Sequence, residues 1–244
     1  MDSQAHKVRF RREFVGPIAL GLLAFVLGRP ALAVDGVIEI NQARATAGSV
    51  TAGDTPGFPV SINAIGSYRL TGDLTVPASF EGILVNSDDV TIDLNGFDII
   101  GGGGIVADGI SLTSHKNIEI KNGTIRGFSR DGIFTNNGSQ FVRVIGVRVI
   151  GNTFQGMDLQ GPGNLIDGCS AFSNGSFGIG VREGSLVINS VARGNVGFGL
   201  VVSATAGYRS NVLTGNNGGD ANAQVSGLGL QLGSNVCGSD LVCP

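Results

Sequence analysis

The 244-residue sequence has no tryptophan and only two tyrosines, Tyr68 and Tyr208, which lie far apart along the chain. A sugar-binding platform built from tryptophan and tyrosine rings is therefore not expected. With only three cysteines and two histidines, of which His6 lies in the extreme N-terminal segment, a metal site built from these two ligand types is not expected. Gly101–Gly104 follows a predicted strand, but no lysine and no helix come after it, so a phosphate-binding loop is also absent from the sequence.

Long apolar runs are scarce as well, and the one near the N-terminus, Ile18–Leu27, follows a basic segment and precedes Ala31–Ala33. This order predicts a signal peptide over residues 1–33, cleaved after Ala33, and hence a secreted or periplasmic protein. About ten apolar residues are too few for a membrane anchor. Arg11–Val15 resembles the twin-arginine export signal, but Phe10 stands where serine or threonine is usual, so the Sec and twin-arginine routes both remain open.

Removal of residues 1–33 takes away five basic and two acidic residues, which leaves 11 basic against 17 acidic residues and a net charge of −6. A domain with this balance is not expected to bind nucleic acid. No other segment is long and apolar enough to span a membrane, and the sequence does not indicate an oligomeric state.

An exported protein meets an oxidising environment, which gives its cysteines a meaning. Cys237 and Cys243 are spaced to close a small loop and are predicted to form a disulfide. Cys169 is then the unpaired cysteine. Because it has the same parity as the inward-facing Val147 one coil earlier, it is predicted to be a buried free thiol.

A glycine followed by an alternating apolar run recurs through the chain, at spacings of 27, 23, 24, 22, 21 and 30 residues. These glycines are Gly82, Gly109, Gly132, Gly156, Gly178, Gly199 and Gly229. A repeat of this length predicts a solenoid, in which each unit buries its apolar face only against its neighbours.

The runs alternate in twos, as in Val90–Leu94 and Val142–Val149, which excludes helical and leucine-rich repeats. The sequence therefore predicts an all-β fold, a single-stranded right-handed parallel β-helix of about seven coils. One inward column is predicted to contain Ile83, Ile110, Ile133, Met157, Ile179, Leu200 and Leu230.

Four asparagines, Asn152, Asn174, Asn195 and Asn216, occupy the same place in successive units. They are predicted to stack about 4.8 Å apart, the spacing of paired strands, with their amides joined by hydrogen bonds. Asparagine also tolerates the left-handed backbone that a sharp corner requires. The column is therefore interpreted as structural.

The coil-starting glycines, the stretch Asp89–Gly102 and the asparagine column together resemble the right-handed parallel β-helix repeat proteins of the pectate lyase-like superfamily, in particular small secreted bacterial members of unassigned activity. The resemblance covers about residues 65 to 235. It implies a fold but not a function, because the family includes lyases, hydrolases, epimerases, tailspikes and coils with no known chemistry.

The predicted organisation is a signal peptide over residues 1–33, an N-terminal cap and lead-in loop over 34–64, the β-helix over 65–235 and a disulfide-pinned C-terminal cap over 236–244. Ile38–Gly48 has helix-like spacing and is predicted to form a short helix that covers the open end of the core, because the terminal coils of a solenoid need caps.

The best candidates for chemistry are Asp108, Asp131 and Asp158, which lie near the starts of three successive coils. Grouped carboxylates can bind Ca²⁺ or separate their pKa values into an acid and a base. Pectate lyases use aspartates for calcium and an arginine as base, and the resemblance implies that role for Arg130, with Arg126 and Arg148 as alternatives. The competing interpretation is that aspartates before glycines are turn residues.

Other candidates are weaker. Asn152–Phe154 only partly matches a hydrolase motif, the paired aspartates of Ser87–Asp89 lack partners, and His115 is predicted to be an exposed loop residue. Phe177 and Phe198 share a column and are predicted to stack in the core, although an exposed pair would form a binding patch.

We therefore expect a secreted β-helix module with a binding or structural role at the cell envelope, with polysaccharide as a candidate partner and no cofactor. One alternative is a Ca²⁺-dependent polysaccharide lyase that uses Asp108, Asp131 and Asp158. The other is a surface adhesin or self-assembling fragment that uses exposed coil edges.

Overall fold

The structure is a computed structural model that describes residues 36–239 and residue 243. The predicted signal peptide, residues 1–33, lies outside the described residues. Within the described part, no helix combines the length and the hydropathy that a membrane crossing requires.

Twenty-three short strands and one helix follow one another within residues 36–239. In chain order they are β1 Val37–Ile40, α1 Gln42–Ala47, β2 Val60–Ile62, β3 Gly66–Leu70, β4 Leu74–Val76, β5 Ile83–Val85, β6 Val90–Asp93, β7 Asp98–Gly101, β8 Ile110–Leu112, β9 Ile118–Arg126, β10 Ile133–Thr135, β11 Arg143–Ile150, β12 Met157–Leu159, β13 Leu165–Asp167, β14 Ser170–Phe172, β15 Ile179–Val181, β16 Leu186–Ile188, β17 Val191–Arg193, β18 Leu200–Val202, β19 Gly207–Arg209, β20 Val212–Thr214, β21 Val225–Gly227, β22 Leu230–Gln231 and β23 Val236–Cys237.

All named strand pairs are parallel, and the strands form a 15-stranded sheet and an 8-stranded sheet. The larger sheet folds around a corner, so the solenoid has three sides. The first side comprises the first halves of β9 and β11 together with β1, β3, β6, β13, β16, β19 and β22. The second side comprises the second halves of β9 and β11 together with β4, β7, β14, β17, β20 and β23. The third side is the 8-stranded sheet of β2, β5, β8, β10, β12, β15, β18 and β21. The predicted parallel β-solenoid of about seven turns is confirmed.

The core is a set of apolar columns that run along the stack. On the third side, the predicted column from Ile83 to Leu200 is in register and fully buried. The prediction that Leu230 continues it is wrong. Leu200 pairs with Val225, whereas Leu230 lies on the first side, opposite Gly207, and is 54% exposed. The last coil starts at Gln224, not at Gly229, so the 30-residue spacing did not mark equivalent positions.

Two corners are made by residues with left-handed backbone. The corner between the first and second sides has Asn122, Gly146, Gly168, Asn189 and Ser210, and the corner between the second and third sides has Gly127, Gly151, Ser173, Gly194 and Gly215, all with positive φ. The asparagines of the predicted column directly follow this second corner. They are therefore not the left-handed residues, and that part of the prediction is wrong.

The role of these asparagines is hydrogen bonding along the stack. Asn174 Oδ1 accepts from the backbone and side-chain nitrogens of Asn152, and Asn195 Oδ1 does the same for Asn174. Asn216 continues the ladder, and Gln224 Oε1 takes its place in the last coil. All four asparagines are buried, and the ladder gives each of these buried side-chain amides a hydrogen-bond partner.

The first corner carries a second ladder. Asn211 Oδ1 accepts from the backbone nitrogen of Ser190, and Asn235 Oδ1 accepts from both nitrogens of Asn211. Cys169 belongs to this column, since its backbone nitrogen donates to Ser190 Oγ at 3.2 Å. Its thiol is free and buried, with an exposed fraction of 1%.

The ends differ from the predicted boundaries. Ile38 lies in β1, which pairs with β3 as part of the first coil, so the predicted helix is confined to α1. The side chain of Asn41 caps α1 by accepting from Arg44 N at 3.0 Å, and Ala45 is fully buried. At the other end Cys237 and Cys243 are disulfide-bonded, with Cα atoms 5.2 Å apart, and Cys237 itself lies in β23.

Candidate functional site

The three candidate aspartates meet on the third side. Asp108 and Asp131 directly precede Gly109 and Gly132, the glycines that come just before β8 and β10. Asp158 is the middle residue of β12. Because these strands are paired in register, coil stacking alone brings the three residues together. All three are buried, with exposed fractions of 1%, 1% and 5%.

Two of the carboxylates bind the backbone of the next coil. Asp108 Oδ1 accepts from Asp131 N at 2.9 Å, and Asp131 Oδ1 accepts from Gln155 N at 2.9 Å. Each aspartate thus satisfies a buried amide at a coil start, as the asparagines do at the second corner. This geometry supports the interpretation of both residues as structural turn residues.

Arg130 covers these two carboxylates. Its Nη1 lies 3.3 Å from Asp108 Oδ2 and its Nε lies 3.9 Å from Asp131 Oδ2. The guanidinium carbon lies 4.5 Å from the centre of the Phe134 ring, a cation–π contact. The Arg130 side chain is 36% exposed, whereas both carboxylates are buried beneath it. Arg130 therefore lies between the carboxylates and solvent.

Asp158 has a different environment. Its Oδ2 accepts from Gln160 Nε2 at 2.8 Å, whereas its buried Oδ1 makes no hydrogen bond and has Arg182 Nη2 at 3.5 Å. On the next coil Gly180 leaves room for the Phe177 ring, because a Cβ there would lie 2.5 Å from the ring and 3.2 Å from Asp158 Oδ1. Phe177 therefore packs on the outer surface, and the prediction that it stacks in the core is wrong.

Burial dominates the electrostatics of the cluster. It raises the pKa of Asp108 to about 6 and that of Asp131 to about 7, against the hydrogen bonds to backbone amides and the charge of Arg130. The charges of the neighbouring carboxylates act in the same direction as burial and contribute to both raised pKa values. Burial also raises the pKa of Asp158, while Gln160 and Arg182 oppose the shift. The first two groups therefore change charge close to neutral pH.

No group of three histidine, cysteine, aspartate or glutamate side chains in residues 36–239 and 243 is arranged to hold a metal ion. The outward neighbours of Asp158 in its own column are Phe134 and Gly180, which offer no side-chain oxygen. The cluster thus lacks the six to eight oxygen ligands that Ca²⁺ prefers.

The other predicted residues lie elsewhere. Arg126 and Arg148 are on the second side, where Arg126 Nε bonds Asp98 Oδ2 at 2.8 Å and Arg148 Nη2 donates to Thr124 Oγ1 at 3.0 Å. Neither joins the aspartates. His115 Nδ1 lies 3.1 Å from Asp88 Oδ1, so these two candidates, considered separately in the sequence, form a half-exposed pair.

The second side carries a basic surface that the sequence interpretation missed as a unit. Arg126, Phe172 and Arg193 lie in one outward column, and Arg148 lies in the adjacent column, one coil before Phe172. We call these four residues the arginine face. A shallow pocket of about 300 Å³ is lined by Phe172, Ser173, Arg193 and Gly194. The alternation within each strand could have predicted that each arginine faces outward. The register of the coils was needed to show that the arginines lie on one surface.

Within the arginine face, only Arg126 has an acidic partner among the described residues. No ion pair involves Arg148 or Arg193 in that part of the chain, and both side chains are exposed. Arg148 lies one coil before the half-buried Phe172, in the adjacent column, and Arg193 lies one coil after it, in the same column. Neither charge is paired with a described acid, so both are available to an external anion.

Comparison with known proteins agrees with this architecture. A family model described as the right-handed β-helix region matches residues 81–236. No curated protein matches the chain. No solved structure matches it either. Because the family model spans more than half of the sequence and the coils are those of a parallel β-solenoid, the chain belongs to the right-handed β-helix family.

Proposed function

We propose that the protein is an exported β-helix module that binds an acidic polysaccharide on its arginine face. Export is supported by the predicted signal peptide and by the disulfide between Cys237 and Cys243, a bond typical of proteins outside the cytosol. The observation that carries the binding proposal is the pair of exposed arginines without an acidic partner among the described residues, Arg148 one coil before Phe172 and Arg193 one coil after it.

The charge balance makes this surface specific. Residues 34–244 carry 17 acidic and 11 basic residues, yet the arginine face has three arginines, of which only Arg126 is paired with an acid among the described residues. A polymer that carries carboxylates or sulfates is repelled by most of the protein and attracted here. Guanidinium groups bind such anions with two parallel hydrogen bonds.

Phe172 supplies the complementary apolar contact. Its ring borders the pocket together with Arg193 and Gly194. The C–H face of a sugar ring can pack on an aromatic ring while its acidic group bonds the flanking arginine. Because equivalent positions recur about every 4.8 Å along the stack, the surface is suited to an extended chain.

Binding of the intact protein to polygalacturonate, measured by calorimetry, tests this proposal. We expect the double variant Arg148→Gln/Arg193→Gln to lose about tenfold or more in affinity, because two charge-assisted hydrogen bonds are removed. Lys116→Gln, an exposed charge change in a loop away from this face, is the matched control and should bind normally. Equal binding of a neutral glucan, or an unchanged double variant, would refute the proposal.

The lyase alternative is supported by the buried aspartates with raised pKa values. In that case Asp108 and Asp131 would take up protons from the substrate and release protons to it. Arg130, which covers both carboxylates, would have to move to admit the substrate. The test is the formation of unsaturated sugar products from the same polymer, with and without Ca²⁺. Product formation that Asp131→Asn abolishes would favour the lyase over the binding module.

A further inference from the structure

The outer surface of the first side changes character along the stack. In the early coils it is charged, and Glu119 pairs with both Lys121 at 2.8 Å and Arg143 at 3.5 Å. From Arg143 onward the outward positions are mostly apolar. This apolar patch consists of Phe141, Ile145, Leu165, Leu186, Ile188, Leu228, Leu230 and Leu232.

The patch is exposed at both ends. Phe141 is 55% exposed in its first coil, and Leu228, Leu230 and Leu232 are 79%, 54% and 57% exposed in its last coil. Gly207 lies between Leu186 and Leu230 in one column. Because Gly207 has no side chain, Leu232 and Leu186 approach its backbone closely, and the leucines form a continuous surface. Side chains of this size seldom cluster on the surface of a monomer without a partner.

Two opposite charges interrupt the patch in a symmetric way. Asp167, Ile188 and Arg209 follow one another in one outward column. Asp167 and Arg209 are therefore two coils apart, about 10 Å, with Ile188 midway. Neither forms an ion pair with any residue in the described part of the chain, and Asp167 Oδ1 only accepts from Asn189 Nδ2.

We propose that this patch is the interface of a homodimer, with a two-fold axis that passes over Leu186 and Ile188 along the strand direction. Such an axis reverses the order of coils while keeping each column opposite itself. Asp167 then faces Arg209 of the partner subunit, and Ile188 packs on its own equivalent.

The outer rows of the patch obey the same symmetry. Two coils before the axis are Phe141 and Ile145, and two coils after it are Leu228 and Leu232. The axis places Phe141 against Leu228 of the partner subunit, and Ile145 against Leu232 of the partner subunit. In the middle column the axis places Arg143, which pairs with Glu119 of its own chain, against Leu230 of the partner subunit. The opposite charges of Asp167 and Arg209 and the apolar matches in the two outer columns argue for a second copy of the chain over an unrelated partner.

This inference concerns a different side of the solenoid from the arginine face and does not depend on polysaccharide binding. Sedimentation equilibrium of the intact protein, from about 1 µM upward, tests it. We expect a monomer–dimer equilibrium in the wild type. Asp167→Arg and Arg209→Asp should each raise the dimer dissociation constant about tenfold or more, because like charges would then face each other.

The double variant Asp167→Arg/Arg209→Asp restores opposite charges across the axis, and we expect its dissociation constant to return to within about threefold of the wild type. Arg193→Asp, a charge reversal at an exposed position on the second side, is the matched control and should dimerise normally. Circular dichroism confirms that each variant is folded. A wild type that stays monomeric, single variants that dimerise normally, or a double variant that remains monomeric would each overturn the proposal.

Discussion

The side-chain oxygen of Asn174 accepts two hydrogen bonds from Asn152, one from its backbone nitrogen and one from its side-chain nitrogen, each 3.1 Å long. Both donors are buried, and neither has another acceptor in the described part of the chain. Removal of this oxygen therefore leaves two unpaired amides inside the coil stack.

We accordingly expect Asn174→Ala to lower the free energy of unfolding by about 1 to 3 kcal/mol. Denaturant midpoints measure the change, with Asn137→Ala at an exposed turn as the control for loss of an amide. Equal midpoints for the two variants would show that the asparagine ladder contributes little to stability.

The aspartate cluster predicts an unusual dependence of stability on pH. Asp108 and Asp131 have pKa values of about 6 and about 7 in the folded protein, above the usual 3.8. The folded state therefore binds more protons than the unfolded state between about pH 4 and pH 7, and these groups destabilise the fold as the pH rises. We expect the free energy of unfolding to increase by on the order of 2 kcal/mol from pH 8 to pH 5.

Asp131→Asn tests the cause of this trend. Asparagine keeps an oxygen for the Gln155 amide but removes a buried charge beside Asp108 and Asp158. The variant should be more stable than the wild type at pH 8 and should respond less to pH between 5 and 8. A variant as sensitive to pH as the wild type would assign the trend to other groups.

We expect millimolar Ca²⁺ to leave the melting temperature unchanged. A site filled at a hundred times its dissociation constant would add about 2.7 kcal/mol of stability. The cluster is poorly suited to this, because Asp108 and Asp131 each bind a backbone amide and Phe134 and Gly180 flank Asp158. A rise of several degrees that EDTA reverses and Asp131→Asn removes would establish a calcium site and support the lyase alternative.

Cys169 should resist thiol reagents in the folded protein. Its side chain is 1% exposed, and burial raises its pKa to about 11, so little thiolate is present at neutral pH. Mass spectrometry after treatment with iodoacetamide should show no adduct until denaturant is added. Ser210→Cys, at an exposed corner, is the control and should gain one adduct in the native state. Native labelling of the wild type would contradict the burial of Cys169.

Much of the fold was predictable because a solenoid repeats its own pattern. The alternation of apolar residues fixed which side of each strand faces the core, and the spacing of glycines aligned Ile83 with Leu200 over six coils. The alignment failed at Leu230, where an irregular last coil begins with Gln224 in place of glycine. The second ladder was not recognised, because its members differ in residue type: Cys169, Ser190, Asn211 and Asn235 follow one another in it.

The functional surfaces were harder to predict, because they depend on which coils lie next to each other. The sequence placed Asp108, Asp131 and Asp158 near one another, and the structure adds Arg182, whose position follows only from the pairing of β12 with β15. The arginine face combines residues from four strands. Arg126 pairs with Asp98 across 28 residues of chain, and Arg182 approaches Asp158 across 24 residues, separations that local sequence patterns do not relate.

The ladder bonds join residues that are at most 24 positions apart, such as Asn152 with Asn174 and Asn211 with Asn235. Parallel sheets usually fold slowly, because their strands must meet across long stretches of chain. In this solenoid each coil needs only its immediate predecessor as a template, so folding can start at any coil and spread in both directions. The whole structure can therefore assemble through a series of short loop closures, although every one of its strands is parallel.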